Sequence, residues 1–143
     1  MPVMPTISVT TAAAIVGVDR RTIRRWLGEG EITLGPLLEL AGLPLNASEI
    51  ESVLLADSGD PEGCADLAMV LSLRGLHSRA VEWIQRAADK GHPDAMHWLA
   101  RAYLDGKGIE KDLNLGLMWL AKSASLGHPI SAAQTAALLA IAR

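Results

Sequence analysis

Phenylalanine is absent from this 143-residue chain, and Trp and Tyr together supply five residues. Packing must therefore rest on small and aliphatic side chains. Ala and Leu dominate, the composition of closely packed helices, and the expected class is all-α. A single cysteine, Cys64, cannot build an intrachain disulfide framework. The first residues carry neither the basic start nor the apolar core of a secretory signal, so a cytoplasmic location is expected. No apolar run reaches the ~18 residues that a bilayer span requires. The longest candidate, at the C-terminal end, is broken by Ser131, Gln134 and Thr135. No membrane role is expected, and with half of the residues hydrophobic a continuous core is.

What is present is a repeat. Ala87-Ala88-Asp89-Lys90-Gly91-His92-Pro93 returns 36 residues later as Ser123-Ala124-Ser125-Leu126-Gly127-His128-Pro129, and Trp83-Ile84 returns as Trp119-Leu120. Globular helices typically run to about 20 residues, so the repeating unit is a helix pair. One pair cannot bury its own apolar face; such units stack into a solenoid that binds other proteins. Ala80, Trp83, Ile84, Ala87 and Ala88 fall at i, i+3, i+4, i+7 and i+8, the spacing of one helix face. The same spacing recurs at Ala95, Trp98, Leu99, Ala102 and Tyr103, at Gly116, Trp119, Leu120, Ser123 and Ala124, and at Cys64, Leu67, Ala68, Leu71 and Ser72. These stripes are expected to be core, Cys64 being a buried structural thiol and Trp83, Trp98 and Trp119 packing residues. Gly91 and Gly127 suit left-handed helix ends, and Pro93 and Pro129 suit first helical positions. The connection Asp105–Asp112 is long, whereas the earlier one at Gly75–Ser78 is shorter, which marks the first unit as atypical.

The marks Ala95, Leu99, Tyr103, Gly106-Lys107-Gly108-Ile109, Asp112, Trp119-Leu120, Ala124 and Gly127-His128 resemble the Sel-one-like repeats, a branch of the tetratricopeptide-like helical repeats. The resemblance runs from about Glu62 onward and implies a protein-binding scaffold. Gly116 and Ser123 stand where that pattern usually has alanine.

Ahead of the repeats the charge is segregated: residues 19–27 hold four arginines and one acid, and residues 34–62 hold six acids and no base. Thr10–Val16 reads as a short helix with Ser8 or Thr10 as cap, ended by Gly17. A second helix starts at Asp19, whose carboxylate can accept from the backbone of Arg21 or Thr22. At about 100° per residue Thr22, Ile23, Trp26 and Leu27 share a packing side, and Arg20, Arg21, Arg24 and Arg25 fan over the other. A DNA-recognition helix needs that division, because guanidiniums fork onto guanine O6/N7 or phosphate oxygens. Residues 7–32, from Ile7-Ser8-Val9-Thr10-Thr11 through Gly17-Val18-Asp19 to Gly30-Glu31-Ile32, resemble the helix-turn-helix of the MerR and excisionase group. That resemblance implies DNA contacts by Arg20, Arg21, Thr22, Arg24 and Arg25. Thr11 replaces the usual acid, and the wing region Thr33–Glu39 lacks Lys and Arg, so a lone copy is expected to bind DNA weakly.

Between the two parts, Pro36 can open a short helix through Ala41, and Ser48-Glu49-Ile50-Glu51 reads as a capping box for another, ending near Asp57. The residues point to no chemistry: His92 and His97 do not share a helix face, His77 and His128 fall in turns, and Gly106-Lys107-Gly108 is too short to cradle phosphate. Neither metal nor cofactor is expected, nor catalysis.

The expected architecture is a helix-turn-helix domain over 1–58 followed by a short α-solenoid over 59–143. The expected function is a DNA-binding regulator, with double-stranded DNA on the arginines and a protein partner or second copy on the repeats. The alternative is a protein-interaction adaptor without nucleic-acid binding. From Ile130 to Ala142 no side chain is charged, and Leu138, Leu139 and Ile141 are expected to dock on a second copy or a partner.

Overall fold

The computed structural model describes residues 5–141, which fold almost entirely as helices. Contacts divide the chain into two compact units, Met1–Leu67 and Ala68–Arg143, with the division inside one helix.

The first unit contains β1 (Thr6–Ile7), α1 (Val9–Val16), α2 (Arg20–Leu27), β2 (Ile32–Thr33), α3 (Leu34–Ala41), α4 (Ala47–Asp57) and the start of α5 (Pro61–Leu73). β1 and β2 pair antiparallel, Thr6 with Thr33 and Ile7 with Ile32. Two residues per strand are too few for a period-2 pattern to show. Ser8 caps α1, accepting from the Thr11 N–H, and Gly17 closes it in the left-handed conformation (φ 81°). The carboxylate of Asp57 then fastens that corner, accepting from the Ser8 backbone N–H and from the hydroxyls of Ser8 and Thr11. Ile7, Ile15, Ile23, Ile32, Leu34 and Leu37 form the core.

Three expectations change in this unit. Trp26 is 45% exposed instead of packed, because short aliphatics from five elements already fill so small a core. The residues expected to form a wing are helical from Leu34, and Leu34 and Leu37 are buried. The capping box of α4 is Asn46 with Glu49: Asn46 Oδ1 accepts from the Glu49 N–H and Glu49 Oε1 from the Asn46 N–H. Ser48 therefore lies inside the helix.

The second unit continues with α6 (His77–Asp89), α7 (Pro93–Asp105), α8 (Leu113–Ser125) and α9 (Pro129–Ile141), each of 13 residues, as is α5. α7 packs against both α6 and α8, and α9 against α8. The α6 stripe is buried at all five expected positions. In α7 the buried set is Ala95, Met96, Leu99, Ala100 and Ala102, while Trp98 and Tyr103 are only partly covered. Trp98 is thus not core; it lines a small cavity of about 70 Å³ with His77, Ile84 and Arg101. Cys64, Leu67, Ala68 and Leu71 of α5 are buried, with Ser72 at the margin. His77 and Ser78, expected in a turn, open α6.

Candidate interaction surface

The His-Pro pairs show how the repeat is built. His92 Nδ1 accepts from the Ala95 N–H and His128 Nδ1 from the Ser131 N–H, so each imidazole caps a helix whose first residue is proline. Proline brings no N–H to a position where one would find no intrahelical partner, and the ring nitrogen serves a later one.

The second cap is joined to a polar seam that ties α7, α8 and α9. Ser123 Oγ donates to the Pro93 carbonyl at 2.8 Å, and Ser131 Oγ donates to Ser123 Oγ at 3.0 Å. The one hydroxyl proton of Ser131 being spent there, the 2.7 Å contact with His97 Nδ1 must run from the ring N–H to the oxygen. His128, whose Nδ1 accepts, carries its proton on Nε2 and donates to Asp94 Oδ1 at 3.0 Å. The two rings stack at 4.5 Å between centroids. Both serines are wholly buried. The linked side chains hold α7, α8 and α9 together.

Burial lowers the His97 pKa below its ordinary 6.5, helped by His128 and Arg101 and opposed by Asp94. The unfolded chain then binds a proton at His97 more readily than the folded one. Stability of the repeat unit should hold above pH 6.5 and decline as pH falls through that value toward the folded pKa. Melting curves from pH 7.5 to about 5.5 check this. His97→Asn, whose amide N–H can replace the Nδ1 donor but cannot titrate, should flatten the profile.

Above the seam lies the exposed surface. Of the residues of α9 only Ser131 is buried, and Leu138, Leu139 and Ile141 are 44%, 62% and 79% exposed. Gln134 Oε1 and Thr135 Oγ1, on the inner side, have no hydrogen-bond partner although solvent does not reach them. A groove of about 290 Å³ opens between α7 and α9, lined by Arg101, Leu104, Leu120, Gln134, Ala137 and Leu138. No helix among the described residues is long and apolar enough to cross a membrane. Nor do they contain a group of three or more His, Cys, Asp or Glu placed to hold a metal ion.

On α2 the four arginines of the expected DNA surface are all exposed, and Arg24 Nε lies 4.0 Å from Glu29 Oε1. Thr22, half-buried, gives its N–H to Asp19 at 2.7 Å. Bonds from the side chain and backbone of Thr22 hold the Asp19 carboxyl below its ordinary pKa. The polar seam was not anticipated, since His97 on α7 and His128 just ahead of α9 meet only when those helices pack. Its sequence signal is Ser123 and Ser131 in the places that Ala87 and Ala95 hold in the preceding pair.

Comparison with known proteins bears on the second half of this description. The Sel1 repeat model matches residues 61–92 and 93–128. Among solved structures, a Sel1 repeat protein from Oxalobacter formigenes is similar, with 26% identity and a TM-score of 0.57, over 88% of this chain and 91% of that one. No curated protein matches. Residues 61–128 are thus similar to two Sel1 repeats. The MerR/excisionase resemblance of residues 7–32 gains no support from these comparisons.

Proposed function

We propose that the protein is a non-enzymatic interaction scaffold of the cytoplasm, whose repeat array binds protein through the surface carrying Leu138, Leu139 and Ile141. The observation that carries this reading is α9 itself. It is a 13-residue helix with one buried residue. α9 has no charged side chain although most of its residues are exposed. Exposed apolar residues gathered on one helix mark association sites.

A second reading, DNA contact through Arg20, Arg21, Thr22, Arg24 and Arg25, is favoured by the exposure of all four guanidiniums on one helix. It would operate by tethering, two weak heads held together by the array. Glu29 and Glu31 directly after that helix, and the absence of a cationic wing, weaken it. Anisotropy of a labelled duplex at about 50 and 200 mM salt separates the two. The scaffold reading expects no saturable binding at either salt and no response to Arg24→Ala. Steep loss of binding with salt, and with Arg24→Ala, would establish the DNA reading.

A further inference from the structure

Two hollows of the second unit share one side chain, Arg101. The smaller, of about 70 Å³, has Ser72, His77, Trp98, Asp105 and Lys107 in its wall beside Arg101. The larger, of about 290 Å³, is the groove of Leu104, Leu120, Gln134, Ala137 and Leu138. Around α7, Trp98, Ala102 and Asp105 stand about 40–100° to one side of Arg101, and Leu104 about 60° to the other. The hollows therefore flank one ridge of α7 with Arg101 on its crest. On α9, Gln134, Leu138 and Ile141 fall within about 60° of one another, so the groove wall continues into the exposed apolar surface.

The two hollows differ in chemistry. The groove is aliphatic apart from Gln134 and Arg101. The small cavity holds two cations, Arg101 and Lys107, against the single acid Asp105, which leaves one positive charge unmatched. Asp105 meets Arg101 at 3.4 Å with both side chains about half exposed (52% and 47%), a pairing that water weakens. Lys107 is exposed and has no ion-pair partner among the described residues. Its backbone is nonetheless fixed. The Lys107 N–H donates to the Ala102 carbonyl at 3.1 Å, and Gly108 sits so close to α6 that an added Cβ would lie 2.5 Å from the His77 carbonyl oxygen. Ser72 Oγ and His77 Nδ1, 3.4 Å apart, add a hydroxyl and a ring to the wall. Water takes up ~30 Å³ per molecule, so the cavity has room for about two, and the two oxygens of a carboxylate replace two waters.

We infer that the array takes an extended segment of a partner protein, with a carboxylate side chain in the small cavity and a large aliphatic side chain in the groove. The inference rests on the scaffold reading and states what the partner must offer. Charge complementarity selects the acid: a guanidinium receives a carboxylate through two parallel N–H···O bonds, and Lys107 adds a point charge. A free anion would leave the groove empty, and a wholly apolar segment would leave the surplus charge unmet. The ridge sets the spacing. A helix is about 10 Å across, and a polyproline-type segment rises about 3.1 Å per residue and returns to the same face every three residues. An acidic and an aliphatic residue three positions apart thus span about 9 Å and both point down, one on each side of Arg101.

NMR titration of the intact chain with the capped peptide Ac-Ser-Glu-Pro-Pro-Leu-Ser-amide, and with its reverse order, tests this; the prolines hold the extended form. The expected result is saturable shifts with one order, at the Trp98 indole N–H and at the Ala137 and Leu138 amides together. Binding should weaken about tenfold or more in Arg101→Gln, in Lys107→Gln and when the peptide glutamate becomes glutamine, and it should weaken with added salt. Both variants replace exposed side chains and should keep the melting temperature. Shifts at α9 alone, indifferent to Arg101→Gln and to the glutamine peptide, overturn the acidic segment and leave the scaffold reading standing. Shifts at Trp98 that acetate reproduces, with α9 unmoved, reduce the cavity to an anion site and overturn the segment. The same residues shifting with protein concentration, without peptide, overturn it in favour of a second copy. No saturable shift with either order overturns the inference as well.

Discussion

Gly108→Ala is expected to destabilise the repeat unit by about 2–5 kcal/mol, the sum of a left-handed backbone strain and a steric conflict. Gly108 has φ +78°, and a Cβ there would lie 2.5 Å from the carbonyl oxygen and 2.6 Å from the carbonyl carbon of His77. Both are backbone atoms at the start of α6, and neither can swing aside. The loop between α7 and α8 would have to lift from α6, carrying the register of the pair with it. Gly91→Ala supplies the control. Its φ is +87° with nothing within 4 Å of the added Cβ, so it should cost only the strain, about 1–2 kcal/mol. Urea unfolding of the two variants separates close approach from backbone conformation, since the difference between them is the steric part alone.

Ser131→Ala should loosen α9 selectively. Ser131 Oγ accepts from His97 and donates to Ser123, so its removal leaves a part-buried ring N–H without its acceptor and the buried Ser123 oxygen without that donor. A buried donor without an acceptor costs about 1–3 kcal/mol. α9 has little apolar burial to offset that loss, for Ser131 is its one buried residue. Faster amide exchange confined to residues 129–141, with α6 unchanged, is the expected signature. Uniformly faster exchange across α6, α7 and α8 would mean that the seam supports the whole array.

The repeat was legible because its devices are local or strictly periodic. The α6 stripe follows from 3.6-residue spacing alone, and the Gly-His-Pro segments mark a helix end, a cap and a new start within three residues. The Cys64 stripe was read as core and is core, Cys64 itself being 1% exposed. Spacing failed where burial depends on how much core exists to be joined. Trp26 and Trp98 sit on apolar stripes, yet each lies at the edge of a region already filled by smaller residues. The capping box of α4 was misplaced by two residues because Ser48 and Asn46 are both good caps, and Glu49 reciprocates with Asn46.

The site was less legible than the fold. Leu138, Leu139 and Ile141 could be singled out because no charge accompanies them, and all three are exposed. The seam of Ser123, Ser131, His97 and His128 is spread over three helices, so no window of sequence contains it. The arginines of α2 are where helical geometry puts them, but exposure alone does not say what they meet.

Hydrogen exchange of the intact chain, followed as the Glu-Pro-Pro-Leu peptide is added, tests the central claim most directly because it reports where the molecule is touched. The account predicts that protection grows over residues 132–141 of α9 and stays constant along α2. Protection that grows on α2 while α9 remains unchanged would contradict it.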